Sequence, residues 1–120
     1  MILVSSVSGL KALPAQAHYV SAKHGLVGLC RAAAIELGPY RVRVNTIHPW
    51  GVDTPMGDDP TVFNLFEAHP TYAASFGSIL PSPEVATPGD ISDTVLWLAS
   101  DESRVITGAQ IPLDVGATKV

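Results

Sequence analysis

Three polar residues near the start of the chain, Ser6, Tyr19 and Lys23, have the types and spacing of a proton-transfer site. Tyr19 and Lys23 are four residues apart, so on a helix their side chains lie on one face. A phenol in water ionises only near pH ~10, and a nearby ammonium favours the ionised form, so Lys23 would let Tyr19 exchange a proton at neutral pH. A hydroxyl such as that of Ser6 could then orient a carbonyl or alcohol oxygen beside the phenol. Together these residues predict a site that interconverts an alcohol and a ketone.

The same residues allow other interpretations. Ser5 and Ser8 flank Ser6 and compete for its role, although the spacing to Tyr19 favours Ser6. All three serines could instead cap a loop, and a tyrosine and lysine at this spacing, taken alone, are usually surface residues. Residues 8–11 match the S-x-x-K pattern of serine acylases, but that chemistry needs a serine that opens a helix and a separate K-T-G strand, and the sequence predicts neither.

Apolar patterning and chain breakers predict the elements that would position these residues. The opening apolar run predicts a fully buried parallel strand over residues 1–6, with Ser6 at its carboxyl end, where ligands bind in open α/β sheets. A helix is expected from Ala17 to Gly38, ended by Gly38-Pro39. Further along, the sequence predicts a second parallel strand at Val42–Ile47 and a last strand at Gln110–Val115. Between them it predicts a helix at Asp90–Ser100, capped by Asp90 and with Trp97 in the core.

The spacing of the three polar residues, preceded by the apolar run Ile2-Leu3-Val4, resembles the active-site segment of the short-chain dehydrogenase/reductase family. That family's strand and cofactor loop are similar to the stretch RVRVNTIHPWGVDTPM. Its C-terminal helix and last strand are similar to the stretch TPGDISDTVLWLASDESRVITGAQIPLDVG. The resemblance implies an α/β fold, the C-terminal part of a Rossmann-type doubly wound parallel sheet with three strands and flanking helices. It also implies an NAD(P)-dependent oxidoreductase acting on a small apolar secondary alcohol or ketone, in which Lys23 additionally contacts the nicotinamide ribose.

The resemblance places the nicotinamide of NAD or NADP, with NAD favoured, at the loop that follows the second strand. There Val52 would offer its backbone amide, and Thr54 its hydroxyl, to the carboxamide. Trp50 departs from the family's pattern, because it stands where a glycine is usual and Gly51 follows one place later. The stretch HPWGVDTPM is similar to the corresponding stretch of carveol-type dehydrogenases, which are associated with the redox carrier mycofactocin. The cofactor-binding positions implied in this way are Tyr19, Lys23, Pro49, Gly51, Val52 and Thr54.

The family's glycine-rich phosphate loop belongs to its first strand, and these 120 residues contain no such loop. Gly25 and Gly28 lie inside the predicted helix and lack the preceding strand that a phosphate loop requires. We therefore expect the chain to correspond to the C-terminal half of a family member. The alternative to an active oxidoreductase is a truncated, non-catalytic fragment that does not bind cofactor alone and whose exposed sheet edge favours association.

We expect one partial oxidoreductase domain over residues 1–120, with a catalytic segment and nicotinamide loop at 1–56, a substrate loop at 57–88, and a C-terminal helix and last strand at 89–120. The middle part is long and weakly patterned, as lids and substrate loops often are, although a packed surface segment would have the same pattern. A short helix is expected around Leu65. Aromatic residues in this part favour a hydrophobic substrate, namely Phe63, Phe66, Tyr72 and Phe76.

Composition limits the remaining possibilities. The 47% of hydrophobic residues and 15% of charged residues indicate a globular protein. The net charge of -4 argues against nucleic acid as a partner. No apolar run approaches the ~18 residues of a membrane span. The lone Cys30 suits packing in a reducing, cytoplasmic compartment. The four histidines lack metal-ligand spacing, so we expect them in surface or loop positions and no metal. The family resemblance implies a homo-oligomer at full length, with the predicted 17–38 helix in a dimer interface.

Overall fold

A computed structural model describes residues 1–58 and 60–120 as a parallel sheet flanked by helices. The three strands are β1 (Ile2–Val4), β2 (Asn45–Pro49) and β3 (Gln110–Leu113), in the order β1-β2-β3. Both pairings are parallel, with Val4 opposite Ile47 and Ile47 opposite Ile111. The helices are α1 (Ala17–Leu37), α2 (Pro60–Ala68) and α3 (Pro88–Ala99). The predicted α/β class, with a strand, a long helix and a second parallel strand in succession, is confirmed.

The central strand β2 is the most deeply buried strand of the sheet. Ile47 and the preceding Val44 are fully buried, and Val27 and Cys30 of α1 and Leu98 of α3 are buried as well. Asn45 is also buried, and its side chain donates to the Ile106 carbonyl while it accepts the backbone N–H of Ala109, both at 3.0 Å. The chain that leads into β3 is therefore held against β2 by the Asn45 amide.

Each predicted strand differs from the observed strand at its ends. Strand β1 is not fully buried, since Val4 is 55% exposed. The reason is that, among the described strands, β1 pairs with β2 alone. Strand β2 spans Asn45–Pro49 rather than Val42–Ile47. It begins late because the N–H groups of Val42 and Val44 donate to the Leu37 carbonyl and the Thr107 hydroxyl instead of to a neighbouring strand. Strand β3 ends at Leu113 because Val115 has a positive φ, of 45°.

The helix ends and one core assignment also need correction. Helix α1 ends one residue earlier than predicted, at Leu37. Helix α3 is capped by Thr87 instead of Asp90. The Asp90 carboxylate completes a capping box by accepting the Thr87 N–H at 2.7 Å, and the bonds from Thr87 lower the pKa of this carboxyl. Trp97 is 38% exposed, so its placement in the core was wrong; the buried residue is its neighbour Leu98.

The segment expected to be the substrate loop contains regular structure. The predicted short helix is confirmed as α2, and a 3-10 helix follows at Pro70–Phe76. The segment then joins the end of the chain, where the N–H groups of Ile79 and Leu80 both donate to the Val115 carbonyl at 3.0 Å. The side chain of Phe63, one of the aromatic residues noted above, lies outside the described residues. No described helix is both long enough and apolar enough to cross a membrane.

The loop after β1 packs directly on α1 through Gly9. A Cβ added at Gly9 would lie 2.5 Å from the Ser5 Oγ and 2.8 Å from the Lys23 carbonyl oxygen. Gly28, on the same helix as Lys23, has no atom within 4 Å of an added Cβ. Only a residue without a side chain allows the loop to approach the helix this closely.

We predict opposite effects of alanine at these two glycines. Gly9→Ala should lower the free energy of unfolding by about 1–3 kcal/mol, because the loop must move away from α1. Gly28→Ala should raise it by up to about 1 kcal/mol, because alanine favours the helix and meets no neighbour. Urea denaturation followed by circular dichroism measures both changes. Equal effects of the two substitutions would contradict the described packing at Gly9.

Candidate active site at the carboxyl end of the sheet

Ser6 is the one serine of its cluster whose hydroxyl hydrogen has no acceptor in the described chain. Its Oγ accepts the backbone N–H of Ser8 at 3.1 Å, as the cap of the 3-10 turn Val7–Gly9. The two competitors donate elsewhere: Ser5 to the Lys23 carbonyl at 3.0 Å, and Ser8 to the Gln16 side chain at 3.3 Å. Ser5 and Ser8 are also buried, whereas Ser6 is half-buried. This arrangement favours Ser6 as the serine that can donate to a bound oxygen.

Tyr19 and Lys23 lie on one face of α1, as their spacing predicts. The Lys23 Nζ is 5.4 Å from the centroid of the Tyr19 ring and donates to the Val4 carbonyl at 3.2 Å. Tyr19 is 38% exposed. Because Val4 is two residues before Ser6, the lysine connects the tyrosine to the strand end that carries the serine. The structure therefore places the three predicted residues at one end of the sheet.

The loop after β2 is held by a short parallel bridge to the segment before α3. The Gly51 carbonyl accepts the Ala86 N–H and the Ala86 carbonyl accepts the Asp53 N–H, both at 2.9 Å. In a parallel bridge of this kind, the N–H of the residue between, Val52, points away from Ala86. The Thr54 hydroxyl is 3.3 Å from the Val52 carbonyl, to which it donates. Val52 and Thr54 thus present polar groups on a loop with a defined path.

Trp50 lies where β2 passes into this loop. Its N–H continues the sheet by donating to the Leu113 carbonyl at 3.1 Å, and Gly51 takes up the close contact. A Cβ at Gly51 would lie 2.8 Å from the Val85 side chain. The Trp50 ring lies 5.9 Å from that of Phe76, which in turn lies edge-on to Phe66 at 5.0 Å. These three rings join the loop to the 57–88 segment.

Two cavities adjoin this segment. One, of about 360 Å³, lies between the loop before α1 and helix α2, and is lined by Ala15, Gln16, Thr61, Asn64 and Leu65. The other, of about 560 Å³, extends from Trp50 and Phe76 to Val85. The first lies between the segment expected to contact substrate and the loop that leads into α1, whereas the second lies within that segment except for Trp50.

His48 was missed by the sequence analysis, which placed all four histidines in surface or loop positions. His48 lies in β2 and is 0% exposed. Its Nδ1 is 2.7 Å from the Ser6 carbonyl oxygen, and its Nε2 is 2.8 Å from the Thr46 Oγ1. Burial lowers the pKa of this imidazole, and the Ser6 bond only partly opposes that effect. The available signal was position, because a residue inside a central parallel strand is buried on either face.

Known proteins resemble this chain over nearly its whole length. The family model described as enoyl-(acyl carrier protein) reductase matches residues 1–118. An uncharacterised NAD-dependent oxidoreductase of Mycobacterium tuberculosis is 48% identical over 120 residues, which is 99% of this chain and 44% of that protein. The chain belongs to the short-chain dehydrogenase/reductase family. A (-)-trans-carveol dehydrogenase of Rhodococcus erythropolis is 43% identical, over 98% of this chain and 45% of its own length.

A crystal structure of a related dehydrogenase supports the fold assignment. The short chain dehydrogenase from Mycobacterium paratuberculosis, solved bound to NAD, superposes with a TM-score of 0.93 at 49% identity, covering 99% of this chain and 45% of that one. The chain thus spans a little less than half the length of the relatives it matches. The predicted family and the predicted partial Rossmann-type fold are both confirmed.

The burial of His48 predicts how stability responds to acid. The pKa of His48 lies below the ordinary value near 6.5. The contribution of this residue to the free energy of unfolding is therefore complete above that pH. It is lost as the pH falls, because the unfolded chain takes up a proton more readily than the folded chain. Asp90 and Asp114 add their own losses only below about pH 4, because their lowered pKa values start from 3.8. Urea denaturation at pH 7.5 and 5.0 should therefore show weaker stability at the lower pH.

The same measurement on His48→Asn isolates the contribution of His48. The variant should lose less stability between these two pH values than the wild type, since it has no imidazole to protonate at this position. An identical loss in both proteins would mean that the buried His48 does not control the acid response.

Proposed function

We propose that this chain supplies the catalytic segment of a nicotinamide-dependent oxidoreductase that interconverts a secondary alcohol and a ketone. The observation that carries the proposal is the placement of Ser6, with a hydroxyl free to donate, at the same sheet end as the Tyr19 and Lys23 pair. Such a site needs a proton carrier, a group that orients the oxygen, and a positive charge that favours the phenolate, and these residues provide each of them.

In the direction of alcohol oxidation, the substrate hydroxyl would lie between the Ser6 hydroxyl and the Tyr19 phenol oxygen. Ser6 donates a hydrogen bond that fixes the substrate oxygen, and Tyr19 as phenolate removes its proton. Lys23 favours the phenolate by its charge, while its bond to the Val4 carbonyl holds the ammonium in place. In the direction of ketone reduction, Tyr19 returns the proton to the same oxygen.

NAD is the cofactor we propose, because the relatives from M. tuberculosis and M. paratuberculosis are described as NAD-dependent and NAD-bound. When bound, it supplies the hydride acceptor for the carbinol hydrogen. The structure offers a fitting set of groups: the outward N–H of Val52, the Thr54 hydroxyl, and the Lys23 ammonium beside Tyr19. Pro49 and Gly51 define the backbone path of this loop, since one ends β2 and the other anchors the bridge to Ala86.

The proposed substrate is a small apolar alcohol or ketone. The relative from R. erythropolis acts, by its name, on (-)-trans-carveol. The cavity beside Ala15 and Leu65, and the aromatic rings at Phe66 and Phe76, would contact hydrocarbon in preference to charged groups. The division into a catalytic segment (1–56), a substrate loop (57–88) and a C-terminal part (89–120) belongs to the same proposal.

We also propose a cytoplasmic homo-oligomer. Helix α1 buries only Val27 and Cys30 completely and leaves Leu29 and Ile35 largely exposed. Exposed apolar side chains of this kind are compatible with contact to a second copy of the protein, and the net charge of -4 disfavours nucleic acid as a partner.

The second candidate is that these 120 residues alone form a non-catalytic unit. It is favoured by the length comparison, because the relatives are more than twice as long, and by the absence of a glycine-rich phosphate loop from the sequence. Isothermal titration of the 120-residue chain with NAD(H) and NADP(H) should then give very weak binding. Low-micromolar affinity would contradict this candidate.

Replacing the proposed proton carrier tests the reaction itself. In the complete gene product, Tyr19→Phe should lower kcat by about 10²–10⁴-fold, because the phenylalanine cannot exchange a proton, while the NAD affinity changes little. Tyr40→Phe is the matched control, since Tyr40 is 77% exposed at the far end of α1 and should retain full activity. Steady-state rates and NAD titration of both variants decide the point. A Tyr19→Phe enzyme that keeps most of its kcat would contradict the role of Tyr19.

A further inference from the structure

His48 connects strand β2 to Ser6 where the backbone pairing of the sheet ends. The last backbone bond between the two strands in this direction runs from the Ser5 N–H to the Ile47 carbonyl, at 2.9 Å. Beyond it the chain leaves β1 and enters the 3-10 turn at Val7. The next link between the strands is the contact from the His48 ring to the Ser6 carbonyl oxygen, at 2.7 Å. A side chain therefore extends the β1–β2 pairing by one residue.

The hydrogen-bond partners of His48 indicate which ring nitrogen carries the proton. The Ser6 carbonyl can only accept, so Nδ1 must donate to it. Nε2 then accepts from the Thr46 hydroxyl at 2.8 Å, a shorter contact than the 3.3 Å from that hydroxyl to the Ala109 carbonyl. An imidazolium at His48 would have hydrogen on both nitrogens, so the Thr46 hydroxyl could no longer donate to Nε2 and would have to donate to the Ala109 carbonyl. Burial and the nearby cationic side chain of Lys23 on α1 also disfavour the imidazolium. The described geometry is that of the neutral tautomer with hydrogen on Nδ1.

The Ser6 backbone is constrained on both sides of its side chain. The Ser6 carbonyl accepts the Gly9 N–H at 2.9 Å in addition to the bond from His48, and the Ser6 Oγ accepts the Ser8 N–H. The residue is extended (φ −165°, ψ 165°), unlike the turn that follows it. The bond from His48 comes from the central strand and therefore fixes the Ser6 carbonyl relative to the sheet. The bonds from Gly9 and Ser8 fix Ser6 only relative to the turn that follows it.

We propose that His48 is a positioning residue, which sets the place of the Ser6 hydroxyl relative to the sheet by donating its Nδ1–H to the Ser6 carbonyl. This inference rests on the proposed function in one respect, namely that Ser6 orients the substrate oxygen. His48 itself is buried and does not touch the substrate. Its effect is on the geometry of the reacting complex, where a misplacement of ~1 Å can cost ~10²-fold in rate.

Two amide substitutions separate the bonds of the two ring nitrogens. The amide nitrogen of His48→Asn can stand at the place of Nδ1 and still donate to Ser6. The longer His48→Gln places its amide near Nε2 and loses the bond to Ser6. In the complete gene product, we expect His48→Gln to lower kcat about 10–100-fold with KM for NAD nearly unchanged, and His48→Asn to retain most of the wild-type kcat. Equal losses in both variants would overturn the proposal.

A double-mutant cycle with Ser6 tests whether His48 acts through that residue. In a Ser6→Ala background, His48→Gln should cause no further loss of kcat, because the hydroxyl it positions is already absent. An undiminished loss in that background would mean that His48 has a general structural role, and the proposal would be wrong. Failure of the proposed function would be visible separately, as a wild-type enzyme without NAD-linked activity or a Tyr19→Phe enzyme with full turnover.

Nitrogen NMR of histidine-labelled protein tests the same contact without any assay of activity. In long-range proton–nitrogen spectra at pH 7.5, the His48 ring should be neutral with hydrogen on Nδ1. The backbone signals of Ser6 and Gly9 should shift in His48→Gln and stay near their wild-type positions in His48→Asn. A ring with hydrogen on Nε2, or a doubly protonated ring, would overturn the proposal whatever the enzyme's activity.

Discussion

The candidate site depends on one contact region, where the end of strand β1 meets helix α1 at Lys23. The Lys23 backbone carbonyl accepts the Ser5 hydroxyl, and its ammonium donates to the Val4 carbonyl. Gly9 brings the following loop against the same carbonyl at a distance that leaves no room for a side chain. The strand and the helix are thereby held together on both sides of the lysine. Because Ser6 belongs to the strand end and Tyr19 to the helix, their relative position follows from these bonds.

The end of the chain connects the rest of the molecule to this region. The Lys11 ammonium donates to the carbonyls of Ala117 and Val120, at 2.7 and 2.9 Å. The loop after β1 is thereby bonded to the 3-10 turn Ala117–Lys119 at the end of the chain. The Val115 carbonyl holds the segment before α3 through its two bonds from Ile79 and Leu80. Val115 does so with a positive φ of 45°, which a β-branched residue rarely adopts. The Asp114 carboxylate stabilises the same turn by accepting the N–H groups of Gly116 and Thr118.

The sequence was sufficient for those features that depend on spacing along one element. Tyr19 and Lys23 meet because four residues make about one helical turn. The choice of Ser6 among three serines depended on spacing alone, and the structure supports it through the different partners of Ser5 and Ser8. Family membership followed from three motifs in the expected order and is confirmed.

The features that the sequence analysis missed depend on contacts between distant parts of the chain. His48 bonds to a carbonyl 42 residues away, and the predicted strand ended one residue before it, at Ile47. The N–H groups of Val42 and Val44 donate to Leu37 and Thr107 instead of to a strand, and Val115 has a positive φ, so patterning extended β2 and β3 too far. Trp97 and Leu98 are adjacent apolar residues, and only the packing of α3 against the sheet decides which of them is buried.

The proposed role of this chain is to carry the proton-transfer residues of an NAD-linked alcohol oxidation. It can be tested with the complete gene product, NAD and a cyclic secondary alcohol with deuterium on its carbinol carbon. We expect deuterium to appear in the reduced nicotinamide ring, the ketone to accumulate in equal amount, and both to be lost in Tyr19→Phe. Release of the deuterium to water, or product formed by Tyr19→Phe at the wild-type rate, would contradict it.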